Sequence, residues 1–184
     1  SYTSRRANLL TEAVSLAAIS LIWKNLPLAW ADGTNIAARS SMLYGSFLAG
    51  VGLANAGVTA VHSISYPLGG TFGVPHGVGN GILLAPVLEH NLPAVKEKLA
   101  AVMRAVDPAF LQTTDDEAAR AFIRGIRQFV DSFGLPRLSE YGVSEKDLPH
   151  LAQDALAVAV PIANNPRPVD ADAIVRIYSA VLNR

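Results

Sequence analysis

The chain has 184 residues, enough for one domain with a sizeable core, and 51% of them are hydrophobic. Fifteen basic residues balance fifteen acidic ones, so charge gives no reason to expect nucleic acid or an anionic membrane as a partner. Cysteine is absent, which excludes disulfides and thiolate metal sites and leaves His, Asp and Glu as the available metal ligands. A cysteine-free chain is compatible with a reducing compartment, and the expected location is cytoplasmic. The first residues, Ser1 to Arg6, are polar and lack a secretory cleavage pattern.

In chain order, the first expected element covers residues 7–25. Leu9, Leu10, Ala13, Val14, Ala17 and Leu21 fall on one helical face, and Leu16, Ile19 and Ile22 widen it. A helix apolar around most of its circumference reads as a core helix, and Pro27 should stop it. A second helix is expected over residues 35–55, with Gly45, Gly50 and Gly52 where another backbone could approach closely.

No Asp, Glu, Lys or Arg occurs between residues 40 and 88. Asn55, His62, Pro67, Pro75, His76 and Asn80 interrupt that stretch, so no apolar run reaches the roughly 18 residues needed to span a bilayer. The stretch reads instead as buried elements of a soluble protein, with no membrane partner. It divides into residues 58–68, a Gly-rich loop over 69–73, and a helix opened by Pro75 that runs to about residue 90 and bends at Pro86.

Pro93 should open an amphipathic helix carrying Val95, Leu99, Val102 and Val106. Thr114 and Glu117 have capping-box spacing ahead of Ala118, Phe122, Ile126 and Phe129. Ser144 and Asp147 mark another helix start, Asn164 to Pro168 is a loop, and residues 170–182 form the last helix. No strand pattern or repeat emerges. The expected architecture is all-α, a helical bundle forming a single domain over residues 1–184.

Four histidines are available. His150 follows Pro149 in a charged segment and reads as surface; His90 sits beside Asn91 at an expected helix end, where dipole compensation explains it. His62 and His76 lie inside the charge-free stretch. Buried neutral imidazoles serve either as hydrogen-bonded core residues or as metal ligands. Their spacing matches no zinc-finger or zincin pattern and leaves both readings open.

The surrounding residues narrow the choice. The run His62-Ser-Ile-Ser-Tyr66-Pro67-Leu68-Gly69-Gly70-Thr-Phe-Gly-Val-Pro75-His76-Gly77-Val-Gly-Asn80 closely resembles the signature of the iron-containing (group III) alcohol dehydrogenases. That signature joins a His, a Pro-Leu-Gly-Gly segment, a Pro-His-Gly and an Asn. The likeness extends to Tyr2-Thr-Ser-Arg-Arg-Ala-Asn8 and to Asn165-Pro-Arg-Pro168, and so covers essentially the whole chain as the family's C-terminal helical domain.

The resemblance implies an NAD(P)-dependent oxidoreductase that interconverts alcohols with aldehydes or ketones. His62 and His76 would be ligands of a divalent metal, Fe2+ first and Zn2+ second, acting as a Lewis acid on the substrate oxygen. Two further ligands, an Asp and a His spaced Asp-x-x-x-His, are implied upstream of Ser1. The partners implied are a small alcohol or aldehyde, an N-terminal Rossmann-like domain that holds most of the NAD or NADP, and further copies of the full-length chain in a homo-oligomer. No dinucleotide fingerprint occurs here, because Gly69-Gly70 and Gly77-Val78-Gly79 do not follow a strand.

One position departs from the family. Many members carry a second His four residues after the first ligand, where this chain has Tyr66. Its phenol would share the His62 face and could bond substrate or cofactor as a catalytic-site residue, though as a poorer proton carrier near neutral pH; packing beside Pro67 is the competing reading. Leu68-Gly-Gly-Thr-Phe72 also resembles maleylacetate reductases, but the 62–76 segment has no cation to meet a carboxylate-bearing substrate. A third alternative is an isolated helical piece without activity of its own.

Overall fold

The computed structural model describes residues 1–183. All of its regular structure is helical: eight α-helices and three short 3-10 turns, with no strand among the described residues. The helices are α1 (Leu9–Ala31), α2 (Ile36–Ala56), α3 (Ala60–Phe72), α4 (His76–Val106), α5 (Asp115–Ser132), α6 (Leu148–Ala157), α7 (Ala159–Asn164) and α8 (Ala171–Leu182). Two compact units emerge from the packing, one of residues 1–57 and 96–122, the other of residues 58–95 and 123–184.

In the first unit, α1 packs on α2. Asn8 caps α1 by accepting from the N–H groups of Leu10 and Thr11, both at 3.1 Å, while Thr11 Oγ1 accepts from the Asn8 N–H at 2.9 Å. This reciprocal cap satisfies donors that the first helical turn leaves orphaned. Pro27 lies inside α1 and does not end it; the helix continues to Ala31.

The expectation of a core helix is also overturned. The buried positions of α1 are Thr11, Ser15 and Ala18, whereas Leu9, Leu10 and Trp30 are exposed. The reason is close approach. A Cβ at Gly45 would stand 2.8 Å from Ile22 Cγ1, and one at Gly52 would stand 2.6 Å from Ser15 Oγ. Small residues on both helices form the seam, so the large apolar side chains face outward. By length and composition, α1 is the one described helix that could cross a bilayer.

The second unit holds the larger core, built on Ile64, Leu68, Ile82, Leu83, Leu151, Ile174 and Tyr178. Here α3 packs on α6 and α7, and α6 on α8. The sequence led us to expect a loop from Gly69. Instead α3 continues through Pro67, Gly69 and Gly70 to Phe72, and Gly73 ends it in the left-handed region at φ 67°. The Gly73 N–H returns to Gly69 O and the Val74 N–H to Leu68 O, both at 3.2 Å. The pair Gly69-Gly70 is therefore helical, and of these three glycines Gly73 alone uses the freedom at positive φ.

Pro75 opens α4 as expected, its carbonyl accepting from the Gly79 N–H at 2.9 Å. The helix passes Pro86 and breaks instead at Val95, two residues after Pro93, where φ is −135° and ψ is 18°. The expected caps at Thr114 with Glu117 and at Ser144 with Asp147 both form. Asp170 caps α8, accepting from the Ala173 N–H at 2.7 Å.

Candidate metal centre

The site is built at the Gly73 corner, where α3 ends and α4 begins. His62 and Tyr66 lie one turn apart on α3 and so share a face. His76 is the first residue of α4, fixed by Pro75 before it. Gly79 lets the two helices close up: a Cβ there would stand 3.4 Å from Ser65 Cβ and 3.7 Å from Val74 Cγ1. A Cβ at 79 would thus be in ordinary van der Waals contact with the helix that carries His62 and Tyr66, which leaves no room for a side chain much larger than alanine in that direction.

The three rings come together. The centroids of His62 and His76 are 5.3 Å apart with their planes at 57°. Tyr66 lies nearly parallel to His76 at 5.8 Å and 20°, and edge-on to His62 at 6.4 Å and 76°. The face sharing inferred for Tyr66 is thus realised, with its ring against a histidine and 43% of the residue exposed.

Burial differs between the two histidines. We expected both to be enclosed by the charge-free stretch, but only His62 is half-buried, and His76 is exposed at the start of its helix. Burial, and then the charge that His76 would carry, hold the His62 imidazole down to about 4. Near neutral pH His62 is therefore uncharged and keeps a free lone pair, the state a metal ligand requires.

The spacing of the two rings is compatible with a shared divalent ion. Two imidazoles that each place a nitrogen at ~2.1 Å from one ion in tetrahedral geometry have centroids about 5 Å apart. Among the described residues no third His, Cys, Asp or Glu joins them in a metal-sized cluster. This chain thus offers two nitrogen donors.

The other histidines lie elsewhere. His150 is largely exposed and stands 3.5 Å from Asp154. His90 is not at a helix end, as its position beside Asn91 suggested, but within α4. Its Nε2 lies 3.0 Å from the Pro168 carbonyl, and Arg167 Nη1 donates to the His90 carbonyl at 2.7 Å. His90 therefore fastens the Asn165–Pro168 loop that follows α7, a tertiary role that helix-end reasoning misses.

Asn80 belongs to the site, although its place in the sequence motif assigned it no role. Its Nδ2 donates to the His76 carbonyl at 2.8 Å and lies 3.3 and 3.2 Å from the two ring nitrogens of His76. The spacing of four from His76 on a helix was the available signal.

Comparison with known proteins decides the family. The C-terminal region of the Fe-containing alcohol dehydrogenase family matches residues 1–182. The chain belongs to this family.

Among its relatives, 1,3-propanediol dehydrogenase of Klebsiella pneumoniae is 38% identical over 156 residues, covering 84% of this chain and 40% of that protein. Lactaldehyde reductase of Escherichia coli is 33% identical over 178 residues, covering 96% of this chain and 46% of that protein. In three dimensions, a crystal structure of 1,3-propanediol oxidoreductase superposes with a TM-score of 0.93 at 36% identity, covering 98% of this chain and 47% of that one. An alcohol dehydrogenase from Oenococcus oeni follows with a TM-score of 0.91 at 31% identity, again over 98% and 47%. The chain spans about half the length of the relatives it matches. Its all-helical fold is that of the C-terminal domain of these dehydrogenases.

Proposed function

We propose that the chain is the metal-site and substrate half of an NAD(P)-dependent alcohol dehydrogenase that interconverts small alcohols with aldehydes or ketones. The observation that carries this reading is the convergence of His62 and His76 from two helices, 5.3 Å apart. Kinship with 1,3-propanediol dehydrogenase and lactaldehyde reductase supports an alcohol or aldehyde as substrate. The absence of any Lys or Arg between His62 and His76 favours a neutral substrate over a carboxylate-bearing one.

In this reading His62 and His76 hold the ion, Fe2+ in the first instance and Zn2+ in the second. When bound, it supplies Lewis-acid polarisation of the substrate oxygen. His62 contributes a lone pair that burial keeps free of protons, and His76 contributes from the solvent-facing start of α4. Tyr66 covers the side of His76 with its ring and presents a phenol that can hydrogen-bond substrate or cofactor. Its position four residues after His62, where many family members carry histidine, supports a role as a catalytic-site group.

The remaining ligands and most of the nucleotide contacts would come from an N-terminal nucleotide-binding half, with a cytoplasmic, homo-oligomeric enzyme as the whole. The test is His76→Ala in the full gene product. Metal content by elemental analysis and alcohol oxidation should both collapse while the protein stays folded. Unchanged metal content in a folded variant would overturn the reading and return His76 to a purely structural role.

A further inference from the structure

We propose that Asn80 is the positioning residue of His76, an amide clamp that sets the rotation of the imidazole and leaves its in-plane nitrogens free. This rests on His76 being a ligand, and it adds the part that aims it. Asn80 lies one turn beyond His76 on α4, so the two side chains share a face. Its Nδ2 is almost equidistant from the two ring nitrogens, at 3.3 and 3.2 Å.

That equality is informative. A nitrogen approaching in the ring plane midway between Nδ1 and Nε2 would collide with the carbon that joins them. The Asn80 amino group therefore lies over the imidazole face. An N–H placed there is drawn to the π cloud and blocks rotation, without occupying either lone pair. One ring nitrogen stays available to an ion and the other keeps its proton, as a metal-bound histidine requires.

The amide is itself held in this orientation. Nδ2 donates to the His76 carbonyl at 2.8 Å. Turning the amide over would set Oδ1 against that carbonyl, two acceptors face to face. Oδ1 is buried and has no hydrogen-bond partner among the described residues. The side chain thus keeps its donor on His76 while its acceptor goes unmet, so His76 dictates its orientation. Tyr66, nearly parallel to the same ring at 5.8 Å, adds a second restraint.

The experiment titrates the metal-free full gene product with Co2+, following the visible bands of the bound ion, in wild type, His76→Ala, Asn80→Ala and Asn80→Ser. Thermal unfolding of each metal-free form is measured in parallel. Serine can still bond the carbonyl four residues back but cannot reach the ring face. We expect Asn80→Ala and Asn80→Ser alike to weaken Co2+ binding about 10- to 100-fold and to shift its bands, with little change in unfolding temperature. If Asn80→Ser binds as wild type while Asn80→Ala does not, the backbone bond alone matters and the clamp is refuted. If both bind as wild type while His76→Ala fails to bind, the clamp is refuted and the metal site stands. If His76→Ala binds Co2+ normally, the metal reading itself fails.

Discussion

Tyr178 on α8 donates its hydroxyl proton to the main-chain carbonyl of Ile64, between His62 and Tyr66 on α3. The phenol is fully buried, and its burial, with Asp154 next in influence, pushes its ionisation well above the usual tyrosine range. The C-terminal helix is thereby bonded to the turn of α3 that presents the candidate site.

Replacing Tyr178 with Phe should cost about 1 kcal/mol, the worth of one buried hydrogen bond, and lower Tm by roughly 2–4 °C. The variant should also change the alkaline limb. In the wild type, the unfolded chain loses the Tyr178 proton near pH 10 while the folded chain retains it, so stability falls as pH rises from there. Melts between pH 8 and 11 should show a shallower decline in Tyr178→Phe. Parallel declines would show that the hydroxyl is not responsible.

His62 sets an acid limb of opposite sign. As pH falls below about 6.5, the unfolded chain takes up a proton at His62, whereas the folded chain resists until about pH 4. Stability of the metal-free protein should therefore drop between these values and be insensitive to His62 above them. Denaturant titrations of wild type and His62→Gln across pH 4–7 measure this; the variant should lose that part of the slope. Equal slopes would show the imidazole to be open to water.

Much of the site was legible from residues 62–80, because a helix places positions four apart on one face. That rule brought Tyr66 beside His62 and would have brought Asn80 to His76. Helix starts were legible where a short polar side chain stands three residues before its acidic partner, as at Thr114 with Glu117 and Ser144 with Asp147. What misled was the weight given to large side chains and to Pro. In α1 the buried seam is Thr11, Ser15 and Ala18, set by glycines on α2 that no reading of α1 alone reveals. Pro27, Pro67 and Pro86 sit inside helices that continue through them, and the break in α4 falls at Val95. The role of His90 depends on Pro168, 78 residues away.

That loop supplies another prediction. Asn91 and Asn165 bond reciprocally, Nδ2 to Oδ1 at 3.0 and 2.7 Å, and Asn165 also donates to the Arg167 carbonyl at 2.7 Å. Both residues are buried, at 1% exposure each. Asn165→Ala would leave the Asn91 amide buried without its partner and should cost about 2 kcal/mol. Chemical denaturation measures it, and a double variant with Asn91→Leu should recover part of the loss.

Residues 1–184 alone should not oxidise alcohols with NAD, even with added iron or zinc, because two imidazoles are half of a four-coordinate site. A spectrophotometric assay of the purified chain tests this directly. Sustained NADH formation would show that the chain completes its site without a further domain.

The division into two units has a bearing on how the chain is made. Each unit takes one stretch from each side of the other in sequence: residues 1–57 await 96–122, and 58–95 await 123–184. On a ribosome, α1 and α2 emerge as a pair whose remaining unit members are not yet synthesised. The turn bearing His62 and Tyr66 gains its Tyr178 bond only once α8 is released. Early termination anywhere between 58 and 122 would leave both units half-built, with apolar surface that the later segments would cover still exposed to other chains.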